Sequence, residues 1–338
     1  MASISESTLH VPAAYRLNSR VRALTVSIST LTVIAAIVLV GHFLLADAAT
    51  ASDFTAKNLP PSSSHLFGTD WMGRDMLART VAALSTSILI GLLAALTSAL
   101  IALALGTAAA LSAPRAGAAL SAHHADTQHA PHADAAQRAQ HAAAAQRAPH
   151  VHRLPRPLRL RRLPRLDTAI TWLIDLLLGI PHIILLILIS YALGKGYWGV
   201  TLAVALTHWP NLARIIRAEV LQCQQSPYVA QARKLGASPL SIARHHLIPH
   251  VLPQFLVGLV LLFPHAILHE AAITFLGFGL PPELPAIGII LSESMGYLSA
   301  GSWWLAALPG LTLMLIALLF NTAASNLRRL VDPFTSQE

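Results

Sequence analysis

The chain has 338 residues, of which 54% are hydrophobic and 11% are charged, and its formal net charge is +8. A soluble domain carries about 25% charged residues, so this composition excludes an ordinary soluble protein and indicates a membrane protein. The single cysteine, Cys223, excludes a disulfide within the chain and a metal site built from several cysteines.

Six long segments with few or no charged side chains predict an all-α protein with six transmembrane helices, because about 20 apolar residues span a bilayer. The first segment follows three arginines and resembles a signal peptide at its start. A signal-peptide core has only about 7–15 residues, however, so the longer run is predicted to be an uncleaved span. The predicted spans are residues 23–46, 80–113, 166–194, 197–213, 251–276 and 302–325.

Lysine and arginine residues set the predicted orientation, because they accumulate in cytoplasmic loops. With both termini in the cytoplasm, residues 47–79 and 277–301 lie on the outer side of the membrane. The positive charge then faces anionic lipid headgroups or an acidic partner, and no nucleic-acid partner is needed to explain it. Of the 23 lysines and arginines, 19 lie in the predicted cytoplasmic segments 1–22, 114–165, 214–250 and 326–338.

The first outer segment contains the polar run Leu66–Leu77, whose glycines and aspartates predict a turn followed by a helix start at the membrane surface. Trp71 is suited to anchor this segment at the interface. The overlong second span is therefore expected to begin outside the bilayer as a surface helix.

Residues 114–165 form an insertion rich in histidine, alanine and arginine. Its first half lacks the apolar periodicity that builds a core, which predicts a disordered cytoplasmic segment. Metal binding by the histidine tract is the alternative, although the spacing is irregular. The histidines are His123, His124, His129, His132, His141, His150 and His152.

Residues 228–253 are polar and basic, and they lie between two long apolar runs. Good helix formers precede Gly236, which permits the turn that ends a helix, and Pro239 suits the first turn of the next helix. Two short helices joined at Gly236 predict a cytoplasmic docking surface. A plain amphipathic hairpin without a partner is the alternative.

No Gly-x-x-x-x-Gly-Lys-Ser/Thr sequence occurs in the chain, so it has no phosphate-binding loop of that kind. We therefore predict that the chain is not an ATPase and binds no cofactor itself.

Three motifs together resemble the permease subunits of bacterial ABC importers, specifically the second permease of the peptide/nickel type. They are the run Leu66–Leu77, the loop with Gly236 and Pro249, and the run Phe275–Pro282 with the sequence that follows it. The resemblance covers nearly the whole chain outside the insertion. It implies alternating access and a bacterial inner-membrane location. It also implies four partners: a second permease, two ATP-binding subunits that hold ATP and Mg²⁺, and an extracytoplasmic substrate-binding protein.

The same resemblance identifies the loop as the cytoplasmic "EAA" loop that couples such permeases to their ATPases. This chain reads Ala-Gln-Ala at the triplet, so the family's acidic residue is replaced by Ala230, which puts one salt bridge to the ATPase in doubt. The implied coupling residues are Tyr228, Ala230, Ala232, Gly236, Ala237, Ile248 and Pro249.

Polar residues inside predicted spans mark candidate pathway positions, because they are costly in a bilayer. His208, His265, His269 and Glu270 are the pathway candidates, and Asp175 and His182 are further intramembrane polar residues. His265 and His269 are four residues apart and share a helix face, and imidazole suits nickel, copper and zinc.

These histidines favour nickel or another transition metal, alone or as a chelate, as the cargo, with His265 and His269 as metal ligands. Import of di- or oligopeptides is the alternative cargo. Histidines that are hydrogen-bonded between helices, without a role in transport, are a further interpretation.

Two functions of other classes are weighed against transport. His265, His269 and Glu270 could form an intramembrane metal-dependent hydrolase site, but the His-Glu-x-x-His order is absent. The chain could also be a membrane anchor for an assembly without a transport role. Co-purification of ATPase subunits through residues 228–253 would separate a transporter from both.

Overall fold

A computed structural model describes residues 13–113 and 166–331 of the chain. The predicted disorder and metal binding of the 114–165 insertion lie outside the described residues. Within those residues the backbone forms helices and turns, and extended segments pair only at one antiparallel bridge between Thr69 and Asp75.

The helices are named in chain order. Two of the connections within this series are short π-helical segments, Val40–Leu44 after the first helix and Ala243–Leu247 before the ninth. The described helices are α1 (Ala13–Leu39), α2 (Ala46–Thr50), α3 (Met76–Ser112), α4 (Leu166–Gly179), α5 (His182–Ala192), α6 (Gly196–Cys223), α7 (Pro227–Lys234), α8 (Pro239–Ile242), α9 (Ile248–Phe275), α10 (Ile287–Met295) and α11 (Trp304–Val331).

The described helices that are long and apolar enough to cross a membrane number four, or five if a bent pair is one span. The single-helix candidates are Val21–Leu44, Met76–Ser112, Leu240–Phe275 and Trp304–Leu330. The prediction of six spans is therefore not confirmed. The predicted fourth span lies in α6, where polar residues such as His208 and Asn211 interrupt the apolar sequence.

The predicted third span consists of two helices, α4 and α5, which meet at an angle of 100°. Gly179 ends α4, and Pro181 precedes α5 as its N-cap residue. Proline removes a backbone donor and disfavours helix at the residue before it, which explains the break. The break directs the start of α5 toward the middle of the bundle, where α6 and α9 lie.

Small residues allow α3 and α6 to pack closely along most of their lengths. A side chain at Gly106 would collide with the Ala213 carbonyl oxygen, and alanines such as Ala102 are fully buried on α3. Close backbone approach at small residues is typical of helix association in membranes. This packing buries α6 among the other helices, in agreement with its lower hydropathy.

The core is divided into three apolar clusters along the bundle. One joins the second half of α3 to α4, α6 and the segment from α7 to the start of α9. A second joins α1 and the first half of α3 to α9, α10 and α11. The third surrounds α5 and the first half of α6. The helix α10 lies within residues 277–301, a predicted outer segment for which no helix is predicted from the sequence.

Candidate functional site

The segment from α7 to the start of α9 forms two short helices joined by a tight turn. Gly236 has φ +85°, a left-handed conformation that favours glycine. The Gly236 N–H donates to the Arg233 carbonyl and the Ala237 N–H donates to the Ala232 carbonyl, both at 3.0 Å. These two bonds form the Schellman motif that ends a helix at glycine. The turn at Gly236 predicted from the sequence is thus present in the structure.

This segment has one buried side and one exposed side. Val229 and Leu247 are fully buried and belong to the apolar cluster of the bundle. Leu235 and Leu240 flank the turn and are 88% and 78% exposed. Leu235 lies outside the candidate spans and Leu240 is the first residue of one of them. Both exposed side chains would gain free energy from burial against a partner. We call residues 227–249 the docking loop.

The sequence-predicted coupling residues all lie on the docking loop, at different depths. Tyr228, Ala230 and Pro249 are exposed, whereas Ala232 and Ala237 are partly buried against the bundle. The Tyr228 hydroxyl lies 3.0 Å from the Cys223 Sγ atom. This hydrogen bond raises the pKa of the Tyr228 hydroxyl above its ordinary value.

Contacts that the sequence analysis missed hold the end of α6, which leads into the docking loop. Arg217 on α6 forms a bidentate ion pair with Asp167 on α4. The Gln224 side-chain amide donates to the Ala110 carbonyl of α3 at 3.1 Å. These links connect the base of the docking loop to two predicted spans. Opposite charges 50 residues apart give no local sequence signal of pairing.

Three histidines from three helices meet inside the bundle. They are His182 at the start of α5, His208 on α6 and His269 on α9, and one ligand atom from each lies within 4.8 Å of the others. We call them the histidine triad. The structure brings together two sequence-predicted pathway residues, His208 and His269, with His182.

The predicted residues His265 and Glu270 lie outside the histidine triad. His265 is exposed and its Nδ1–H donates to the Leu261 carbonyl at 2.9 Å. Glu270 is fully buried and its Oε1 atom accepts a hydrogen bond of 3.0 Å from Thr274. Thr274 Oγ1 in turn accepts from the Leu280 N–H at 3.3 Å. Glu270 thus supports the turn after α9, and its place in a pathway stays a prediction.

The run Leu66–Leu77, which the sequence predicts to lie on the outer side, is fixed by a largely buried network of ion pairs. Asp70 accepts from Arg74 Nε at 2.6 Å and from Arg79 at 2.9 Å. Arg79 also lies 2.8 Å from Glu293 of α10. Asp75 caps α3 by accepting from the Ala78 N–H at 2.9 Å. The helix start predicted in this run is present, and the network with α10 was missed.

Residues 157–337 match the family described as binding-protein-dependent transport system inner membrane component. The chain belongs to this family. A putative peptide transport system permease protein of Brucella abortus is 32% identical over 279 residues, which cover 82% of this chain and 77% of the relative.

Other relatives are named for the transport of small peptides. The dipeptide transport system permease protein DppC of Bacillus subtilis is 26% identical, with 87% of this chain and 76% of the relative covered. The probable D,D-dipeptide transport system permease protein DdpC of Escherichia coli is 28% identical, with 84% and 78% covered.

These similarities confirm that the chain is a permease subunit of an ABC importer of the peptide/nickel type. It is a multi-pass protein of the inner membrane and works with other subunits of a transport system. Its relatives are transport subunits, which argues against the intramembrane hydrolase considered from the sequence.

Proposed function

We propose that the chain forms half of the translocation pathway of an importer for di- or oligopeptides. The relatives described above are named for peptide or dipeptide transport, and none of those names mentions nickel. This supports the peptide alternative over the nickel cargo that the intramembrane histidines favoured. A second permease would supply the other half, and an extracytoplasmic binding protein would deliver the peptide.

The observation that carries the coupling role is the two-sided docking loop. Its exposed side offers Leu235 and Leu240 to a partner, and its buried side is packed into the bundle through Val229 and Leu247. A force applied by ATP-binding subunits at the leucines would therefore reach α6 and α9, which continue directly from the loop. Both termini and this loop lie in the cytoplasm in this proposal.

The ATPase partnership is tested by substituting the exposed leucines. The transporter is expressed with its own two ATP-binding subunits, and the tagged permease is purified in detergent. Leu235→Asp combined with Leu240→Asp is expected to reduce recovery of the ATP-binding subunits at least tenfold. The matched control is Leu66→Asp, because Leu66 is 62% exposed but lies in the outer segment. Equal recovery with both variants would contradict the proposal.

The cargo is tested by uptake in cells that lack the chromosomal genes and regain the complete transporter from a plasmid. Labelled dipeptides, labelled oligopeptides and radioactive Ni²⁺ are supplied separately. We expect ATP-dependent accumulation of one peptide class, lost in the Leu235→Asp and Leu240→Asp double variant. Accumulation of Ni²⁺ without peptide uptake would show that the original cargo prediction was right.

A further inference from the structure

The histidine triad is built by the convergence of helices that are distant in sequence. The ring centres are 4.7 Å apart for His182 and His208, 4.6 Å for His182 and His269, and 5.0 Å for His208 and His269. All three pairs are edge-to-face, so the rings surround a common centre instead of stacking. His208 is buried and the other two are partly buried.

Backbone carbonyls determine which ring nitrogen carries the hydrogen in two of the histidines. The Nδ1 atom of His208 lies 2.9 Å from the Val204 carbonyl oxygen, and that of His269 lies 2.7 Å from the His265 carbonyl oxygen. A carbonyl oxygen only accepts, so both Nδ1 atoms carry hydrogen, and the neutral rings keep a lone pair on Nε2. Metal-binding histidines are commonly oriented by such a bond from the other ring nitrogen.

The remaining nitrogens are poorly satisfied by the protein. His182 Nε2 is buried and has no hydrogen-bond partner among the described residues. His208 Nε2 has a long contact of 3.4 Å with His269 Nδ1, whose hydrogen already serves the His265 carbonyl. Leaving a buried polar nitrogen unpaired costs about 1–3 kcal/mol. A ligand that accepts lone pairs from several imidazoles would remove this cost.

We propose that His182, His208 and His269 bind one divalent transition-metal ion of the zinc, nickel or copper class within the bundle. Three imidazoles with a fourth position left open are a common donor set for Zn²⁺, whereas Mg²⁺ and Ca²⁺ prefer oxygen ligands. Zn–N bonds of about 2.0–2.1 Å require the ligand nitrogens to be about 3.4 Å apart. The candidate ligand nitrogens lie up to 4.8 Å apart, and the His269 nitrogen nearest to His208 Nε2 is the Nδ1 atom that the His265 carbonyl holds. Metal binding therefore requires ring rotations that bring the nitrogens inward and turn His269 Nε2 toward the centre of the triad.

The ion would join three helices at the break between α4 and α5. His182 is the first residue of α5, directly after Pro181, and the two helices differ in direction by 100°. Binding fixes the start of α5 against α6 and α9. This site differs from the His265 and His269 pair predicted from the sequence, because His265 is exposed outside the triad. It does not depend on the identity of the transported cargo.

Metal content of the purified full-length chain tests the site. The chain is incubated with Zn²⁺, dialysed against metal-free buffer and analysed by mass spectrometry, and Co²⁺ is used in parallel for its visible spectrum. We expect His208→Ala and His182→Ala each to bind one equivalent of metal ion less than the wild type. Neither variant should show the visible spectrum of four-coordinate Co²⁺. The matched control, His265→Ala, removes a histidine one turn from His269. It is expected to keep the bound metal ion and the spectrum of four-coordinate Co²⁺.

The histidines of the 114–165 insertion are present in every variant and could bind metal in all of them. The measured quantity is therefore the difference in bound metal between wild type and variant, which is expected to be one equivalent. Repeating the comparison with the seven insertion histidines changed to glutamine removes that background. His208→Gln, with gel-filtration elution and helix content measured, replaces any alanine variant that fails to fold. Equal metal content in wild type and the triad variants overturns the proposal. Loss of the metal in His265→Ala overturns it in favour of the His265 and His269 pair.

Discussion

Arg217 donates two hydrogen bonds to Asp167, from Nε to Oδ1 at 2.7 Å and from the terminal nitrogen to Oδ2 at 2.9 Å. The bidentate geometry joins the end of α6 to the start of α4, next to the base of the docking loop. The hydrogen bonds that Arg217 donates to Asp167 raise the pKa of Arg217, which favours its charged form. This charge-assisted pair links the end of α6, which leads into the docking loop, to the predicted third span.

Asp167→Asn is expected to lower the free energy of unfolding by about 1–3 kcal/mol, because the partly buried Arg217 guanidinium loses its charged partner. The Asp167 side chain is only 10% exposed. The thermal midpoint of the purified chain in detergent measures the loss. Asp175→Asn is the matched control, since the Asp175–Arg214 pair is more than half exposed and exposed pairs contribute little. Similar losses in both variants would contradict the assignment.

Gly236→Ala is expected to destabilise the docking loop by about 1–2 kcal/mol, because alanine is strained in the left-handed conformation at φ +85°. No atom lies within 4 Å of a Cβ built there, so backbone strain is the only cost. Protease cleavage within residues 227–249 should become faster, and co-purification of the ATP-binding subunits should fall.

Two substitutions show whether conformation causes this effect. Gly236→Asn should restore most of the protection, since asparagine tolerates the left-handed region better than alanine. Gly179→Ala should be close to neutral, because Gly179 also has open space around it but lacks a positive φ. If Gly236→Ala and Gly236→Asn behave alike, the turn does not require its left-handed residue.

Ala230→Glu is expected to strengthen binding of the ATP-binding subunits several-fold. The substitution restores the acidic residue of the family's triplet at an exposed position of α7. A glutamate there would also face Lys234 four residues later, which adds about 0.3–0.5 kcal/mol to the helix. Gln231→Glu adds the same charge one position away and is the control. The binding proposal is weakened if both variants change recovery of the ATP-binding subunits equally.

Features that depend on local sequence could be predicted. Features that depend on contacts between helices distant in sequence could not. Long charge-free runs predict the spans in α3, α9 and α11, and Gly236 between helix formers predicts the turn of the docking loop. The apolar sequence of α6 is interrupted by polar residues such as His208 and Asn211, so counting apolar residues could not establish a sixth span. His182 joins His208 and His269 only because α5 leaves α4 at 100°. Gly179 and Pro181 predict that the helix breaks there, but they do not determine the angle of the break.

The outer network is predicted to be essential for stability. Arg79 is 7% exposed and contacts both Asp70 and Glu293. Arg79→Met is expected to lower the free energy of unfolding by about 3–5 kcal/mol, because it leaves the buried Asp70 carboxylate and the partly buried Glu293 carboxylate with too little positive charge. Lys57→Ala, in the exposed part of the same outer segment, should change it by less than about 0.5 kcal/mol. Thermal midpoints in detergent measure both changes.

A double-substitution cycle separates the lost charge from lost packing. Glu293→Gln in the Arg79→Met background removes one of the two carboxylates that Arg79 neutralises. If the uncompensated charge causes the loss, the double variant will be more stable than Arg79→Met alone, and the coupling energy will fall within about 0.5–3 kcal/mol. Strictly additive losses would show instead that Arg79 acts by packing of its methylene groups against α10. The ion pair between α3 and α10 would then have no role in holding the outer run in place.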